Sequence, residues 1–281
     1  MNMEKLVFRA IITLVIILAV FIAAGLYNGL KIQKYTIDSE KINNTIRIAQ
    51  ISDLHSCGYG DNQEKLINAI DRQRPDIVAL TGDIFDDVLS DEKTEIFLKG
   101  IAGRYPIYYV TGNHEYWSGD YAFSIKMDIL RKYGVTILSN ELRTMEINGE
   151  TINICGVNDP SSRTLYPDNP IKFNEEVEYV RELSRDGNFS ILLSHRPEFI
   201  DLYAKQGFDL VLCGHAHGGQ WRIPKLLNGL YSPNQGLFPK YAGGVYEKGS
   251  TTVVVSRGLS KESSKIPRFY NRPEIVIIDL V

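Results

Sequence analysis

Cysteine is scarce in this 281-residue chain: Cys57, Cys155 and Cys213 are too few for a disulfide framework, and their odd number leaves at least one free thiol. A basic excess is missing too. Lys and Arg total 31 against 34 Asp and Glu, a net charge of −3, which argues against a nucleic-acid binder that works by phosphate neutralisation. No nucleic-acid partner is therefore expected. There is no low-complexity tract and no internal repeat of roughly 20–50 residues, which excludes solenoid and propeller arrays. Apolar residues at 44% and charged residues at 23% are ordinary globular usage and exclude a disordered chain. Histidine is rare as well, with five in all.

What the chain does have, near its start, is an uncharged run from Ala10 to Leu30. As a helix this run is roughly 31 Å long, enough to cross a hydrocarbon core of about 30 Å. Lys5 and Arg9 precede it, and Lys31 and Lys34 follow it, so basic residues nearly balance across the span and do not orient it. The expectation is a single-pass cell-membrane anchor over residues 1–31, with the rest of the chain on the extracytoplasmic side. Ala23 and Ala24 leave signal-peptide cleavage open. Residues 32–44 read as a polar linker, and 45–281 as one domain.

That domain alternates strand and helix. Strands are predicted at 45–52, 76–83 and 105–113, each running into a polar loop, with helices near 61–73, 91–102 and 119–132. Shorter strands are expected at 135–138, 142–147 and 151–157, and a helix near 173–184. Strands at 188–195 and 208–215 end in histidine, and 251–256 and 274–280 close the pattern. The fold class is α/β (α+β) with sheets at the centre.

Polar residues gather just past the strand ends, where open α/β sheets bind ligands. In order they are Asp53-Leu54-His55, Gly82-Asp83-Ile84-Phe85-Asp86, Gly112-Asn113-His114-Glu115, Ser194-His195-Arg196 and Gly214-His215-Ala216-His217. Every histidine falls in one of these segments. Alone, each would read as turn chemistry or a hydrogen-bonded side chain; five together would not. Carboxylate, imidazole and amide oxygen without thiolate suit Mn, Fe, Zn, Ni or Co. In Asp53-x-His55 and His215-x-His217 alternate residues share a face of an extended strand end. The glycines at 82, 112 and 214 permit tight turns close to the ions. The donors exceed what one ion needs, so two divalent metals sharing a carboxylate is the economical reading.

These five blocks resemble the D-x-H, G-D-x-x-D, G-N-H-[DE], H and G-H-x-H pattern of the calcineurin-like metallophosphoesterases. His217-Gly218-Gly219-Gln220, Val157-Asn158-Asp159-Pro160, Ser256-Arg257-Gly258 and Asn271-Arg272-Pro273-Glu274 look like the membrane-anchored, YkuE-like bacterial branch, to which hydrolases of UDP-diacylglucosamine are more distantly similar. The resemblance implies a four-layer α/β/β/α sandwich. It assigns Asp53, His55, Asp83 and His217 to one metal, with Asp83 bridging to a second held by Asn113, His195 and His215. It implies that His114 faces the substrate phosphate, steadied by Glu115, while Asp86 supports a ligand rather than binding metal itself. Hydrolysis of a small or lipid-linked phosphate ester by a bridging hydroxide follows, with His114 as the catalytic residue. A protein Ser/Thr phosphatase would place Arg-Gly after the second Asp of its block, where this chain has Asp87-Val88. A membrane-anchored scaffold without catalysis is the alternative from another class, and the complete ligand set weighs against it.

Three further readings are open. Cys57 reads as a free loop thiol more readily than as a ligand, and Cys155 and Cys213 as core. Trp221, Leu226, Leu227, Tyr231, Leu237 and Phe238 lie in the irregular stretch 218–244 and form either a wall for an apolar substrate or a loop packed on itself. Arg257, Lys261, Lys265, Arg268 and Arg272 form either a phosphate-attracting rim or a solvated charged face.

Overall fold

The computed structural model describes residues 3–261 and 266–281. Helix α1 (Met3–Leu26) leads into strand β1 (Lys31–Ile37) and then β2 (Ile46–Ile51), α2 (Glu64–Gln73), β3 (Ile77–Thr81), α3 (Glu92–Ile101) and β4 (Ile107–Val110). The short α4 (Asn113–Trp117), α5 (Asp120–Lys132), β5 (Thr136–Ile137), β6 (Glu141–Ile147), β7 (Glu150–Gly156) and α6 (Phe173–Leu183) follow. The chain continues with β8 (Phe189–Leu193), α7 (Ile200–Gln206), β9 (Leu210–Cys213), a two-residue hairpin β10 (Tyr231–Ser232) and β11 (Gly236–Leu237), β12 (Gly244–Lys248), β13 (Thr251–Val255) and β14 (Glu274–Leu280).

The strands form two six-stranded sheets, ordered β1-β14-β2-β3-β4-β5 and β12-β13-β9-β8-β7-β6. The strands bury both faces, so successive side chains enter different cores. From β2, Ile46 and Ile48 pack between the sheets, while Ala49 and Ile51 face α2, α3 and α5. From β9, Leu210 and Leu212 pack between the sheets, while Val211 and Cys213 face α6 and α7. Three apolar cores thus separate four layers, helix-sheet-sheet-helix, as the resemblance implied.

The parallel strands β2, β3 and β4 of one sheet and β7, β8, β9 and β13 of the other deliver their C-terminal ends to one edge. β14 runs antiparallel to β2, and β1 runs parallel to β14. Lys31, at the start of β1, therefore also stands at that edge, shortly after the end of α1 at Leu26.

Four elements differ from the sequence reading. The segment read as a linker opens with β1, which pairs along its whole length with β14. β12 borders the other sheet. Both are outer strands with one neighbour and exposed polar residues, so they lack a continuous apolar run. Residues from Asn113 leave the expected strand for α4, because Glu115 reaches back to accept the Gly112 N–H at 2.7 Å. The seven-residue α7 is too short to show helical periodicity; it ends at Gly207, whose φ of 73° suits the left-handed cap.

Candidate metal centre

All five segments converge at the shared edge, but not by strand alternation. Asp53, His55, Asp83, His215 and His217 all have positive φ, between 47° and 64°. The expectation of extended strand ends is therefore corrected. β2 stops at Ile51 and β9 at Cys213, and tight left-handed turns carry the side chains inward. Asp and His tolerate that conformation better than most residues, and such strain gathers where surrounding structure fixes it. Gly82 makes the crossing possible: its φ is 86°, and a Cβ there would lie 2.6 Å from His195 Nδ1. A Cβ on Gly112 would overlap the Asp83 carboxylate.

Asp83 is the hub. Its Oδ1 accepts the His114 N–H at 2.9 Å, and its Oδ2 lies 3.0 Å from His195 Nε2 and 3.6 Å from His55 Nε2. Asp53, His55, Asp83 and His217 form one group able to hold a cation, Asp83, His195 and His215 form another, and His55, Asp86 and His114 come together in a third. Asn113 stands buried at the start of α4, its Oδ1 without a hydrogen-bond partner; His55 Nε2 is likewise buried and without one. Buried polar atoms are seldom left so. Two such orphans among oxygen and nitrogen donors are what divalent cations would satisfy, so the residues fit the metals their types suggested.

The ring nitrogens pointing away from these groups are held. His55 Nδ1 meets Asp86 at 3.0 Å, His195 Nδ1 meets the Thr81 carbonyl at 2.8 Å, and His217 Nδ1 meets the Ser260 hydroxyl at 2.8 Å. In a neutral ring, donating the outer N–H in this way leaves the inner nitrogen a lone pair. Asp86 is also fixed by the Val88 and Leu89 N–H groups, and its carboxyl sits low, at about 2. Asn234, from the stretch 218–244, reaches within 2.9 Å of His215 Nε2.

Electrostatics separate the imidazoles. Burial opposes charge on His195, but Asp83, with Asp53 and Asp159, outweighs it and raises the pKa to about 10. Burial, then neighbouring His195 and Arg196, keeps His215 neutral. Burial, then His55 and Arg268, does the same for His217. Glu115 is pushed up to about 7 by burial and the Asp83 charge, against the pull of backbone N–H groups.

His114 stands at the mouth, partly exposed, its ring 4.4 Å from that of His55 and 4.8 Å from that of Trp117. The structure differs on what steadies it. Glu115 spends its carboxylate on the N–H groups of Asp83, Ile84, Phe85 and Gly112, whereas Asp87 meets His114 Nδ1 at 2.6 Å. Asp87 carried no sign in the sequence beyond its place after Asp86. Arg196 was equally silent: its buried guanidinium clasps Asp159 through Nε and Nη2 and also reaches Asn234.

Cys57 is buried against the helical layer and accepts the Lys261 N–H, and Cys155 and Cys213 are core residues. The basic cluster is neither rim nor solvated face. Arg257 pairs with buried Glu274, Lys261 donates to the Gly58 carbonyl, Arg268 to Ser260 and Arg257, and Arg272 to Gly29 and Leu30. Lys265 lies outside the described residues. The stretch 218–244 is part scaffold, with β10 and β11, while Trp221, Leu226, Tyr231, Leu237 and Phe238 stay exposed.

The profile of the calcineurin-like phosphoesterases matches residues 46–219. An uncharacterized metallophosphoesterase of Campylobacter jejuni is 31% identical over 98% of this chain and 71% of that protein. YkuE of Bacillus subtilis, also an uncharacterized metallophosphoesterase, is 30% identical over 83% of this chain and 78% of its own. The phosphodiesterase YaeI of Escherichia coli is 26% identical over 74% and 72%. Among solved structures, the Haemophilus influenzae NAD nucleotidase superposes with a TM-score of 0.54 at 16% identity, over 78% of this chain but 46% of that longer one. That likeness speaks for the fold alone. Two sheets meeting over a histidine-aspartate centre, with relatives of this kind across nearly its whole length, make the chain a member of the calcineurin-like phosphoesterase family, hydrolases that act on phosphoester bonds.

Proposed function

We propose that the chain is a membrane-anchored, dinuclear phosphoester hydrolase. One ion would be held by Asp53, His55, Asp83 and His217, the other by Asp83, Asn113, His195 and His215, with Asp83 shared. The observation that carries this is the Asp83 carboxylate set between two donor groups, beside the orphaned atoms of His55 and Asn113. When bound, the cations supply the charge that lowers the pKa of water towards about 7 and balances the phosphoryl oxygens.

The chain's own residues do the rest. Asp86, Thr81 and Ser260 hold the outer nitrogens of His55, His195 and His217, while His215 Nε2 lies 2.8 Å from the Arg196 guanidinium and 2.9 Å from Asn234 Oδ1. Arg196, locked on Asp159, holds Asn234 in place. His114 binds a substrate oxygen at the mouth and gives its proton to the leaving oxygen, oriented by Asp87. Trp117 forms a flat wall beside it.

Helix α1 is long and apolar enough to span a bilayer. We place the catalytic domain on its extracytoplasmic side, and its substrate is a small or lipid-linked phosphate ester. The diesterase name of the Escherichia coli relative supports including diesters.

The test uses the full chain in detergent, stripped and reloaded with Mn, against p-nitrophenyl phosphate and bis-p-nitrophenyl phosphate, with metal content measured. Two bound ions, turnover of one ester and its loss in Asp83→Asn are expected. Two bound ions with no turnover of either ester would sink the hydrolase reading for simple esters.

A further inference from the structure

The last turns of α1 do not stand clear of the domain. Phe21 packs on Phe269 and Tyr270, with ring centroids 5.8 and 5.0 Å apart, and Phe269 covers Gly25 so closely that a Cβ there would overlap its ring. The Tyr270 hydroxyl donates to the Phe21 carbonyl, and the Tyr270 N–H to that of Gly25. Phe21 lies five residues inside the helix end, about 7.5 Å at 1.5 Å per residue. A bilayer that takes α1 as a span must therefore bring Phe269 and Tyr270 to its surface layer.

From Phe269 the contact continues outward. Trp221 lies 5.6 Å from the Phe269 ring, and beyond it come Ile223, Leu226, Tyr231, Leu237 and Phe238, each exposed by 42–85%. They belong to one hydrogen-bonded unit: Leu230 bonds to Gly219 and Trp221, Phe238 to Leu230, and Tyr231 pairs with Leu237. Monomeric soluble proteins seldom expose so contiguous an apolar patch. Charge agrees with position. In a chain of net charge −3, residues 218–244 carry Arg222, Lys225 and Lys240 and no acidic residue. Aromatic, aliphatic and basic side chains together are the composition of an interfacial membrane segment.

We infer that the segment Trp221–Phe238 dips into the outer layer of the same bilayer that receives α1, so the edge bearing the metal centre faces the lipid surface. This rests on reading α1 as a span, and on no assumption about metals or catalysis. The occupant is an anionic phospholipid surface, and the patch continues the contact that α1 already makes.

The test uses the full chain in vesicles of phosphatidylcholine and phosphatidylglycerol, carrying single environment-sensitive labels on Leu226→Cys, Phe238→Cys, Ile16→Cys or Ser250→Cys. The native cysteines are buried and stay unlabelled. Ile16 sits within α1, and Ser250 in the exposed β12–β13 turn at the far edge. Brominated phosphatidylcholine should quench the labels at 226 and 238 roughly twofold or more, as for groups about 5–10 Å below the surface, and leave 250 unchanged. All four positions are exposed, and an unaltered melting curve confirms each variant's fold. Quenching at Ile16 alone would overturn the insertion and leave the anchor standing. Quenching at none of the four would overturn both.

Discussion

At the scale of single residues, the site is built from side chains whose outer atoms are tied down and whose inner atoms are left free. His114 differs in place: it stands partly exposed at the mouth, with Nδ1 held by Asp87. We predict that His114→Ala keeps both metals, by elemental analysis, and loses roughly 10²–10⁴-fold in kcat; metal loss would count against its assignment to substrate. Asp87→Asn should shift the pH profile of kcat while leaving metal content unchanged, whereas a purely structural Asp87 would leave the profile in place. Glu115 gives a pH dependence of stability. Its folded pKa of about 7 lies above the ordinary 4.5, so its contribution is complete below about 4.5 and is lost as pH rises through about 7. Thermal melts of the metal-free chain should show this loss between about pH 5 and pH 8, and Glu115→Gln should flatten the slope. Loading metal should flatten it too, because cations offset the Asp83 charge that raises Glu115. An equal slope in all three samples would refute the account.

The liganding residue types were legible in sequence because a metal-binding chain must spend His, Asp and Asn in the few places where strands end. What sequence could not show was the path of the backbone. The positive φ values at Asp53, His55 and Asp83 are a tertiary outcome, and alternation gave the right residues for the wrong reason. Asp87, Arg196 and Asn234 were invisible as functional residues because each acts through a partner distant in sequence.

At the scale of elements, inner strands announced themselves and outer ones did not. β3 and β8 are buried along their length and mostly apolar because helices and the second sheet cover both faces. β1 reads KIQKYTI, half-buried and exposed in turn, and passes for a linker. Its seven paired residues matter for where the rest of the chain is cut from α1. A chain beginning at Tyr27 should melt roughly 5–10 °C above one beginning at Asp38, since losing the strand costs a few kcal/mol at about 2–4 °C per kcal/mol. Equal melting temperatures would show that β1 adds nothing to the fold.

At the scale of the whole molecule, the two sheets are joined near the site by a polar bridge. Gln50 on β2 donates to the Thr81 hydroxyl and, across the sandwich, to the Cys213 carbonyl at 2.8 Å. The bridge stands directly behind Asp53 and Gly214, which the two sheets contribute separately. Gln50→Leu removes the Thr81 hydroxyl's donor and leaves the Cys213 carbonyl with the Ser256 N–H alone, and we predict a cost of about 1–3 kcal/mol in denaturant unfolding together with weaker metal binding. A stability loss with unchanged metal affinity would mean that the sheets hold their spacing without it.

The direction of β1 has a further consequence. Had it paired antiparallel with β14, Lys31 would lie at the far edge, and the catalytic mouth would stand off from the lipid by at least a strand length, about 23 Å for seven residues. That exceeds the Debye length of about 8 Å at physiological salt, so headgroup charge would be invisible to an arriving substrate. With the strand as it is, a mouth held against an anionic bilayer surface at a potential of about −30 mV would see a soluble phosphate monoanion depleted about threefold. The apparent KM for water-soluble esters should then climb with the anionic lipid content of the vesicle, while a substrate already resident in the bilayer escapes that tax on entry.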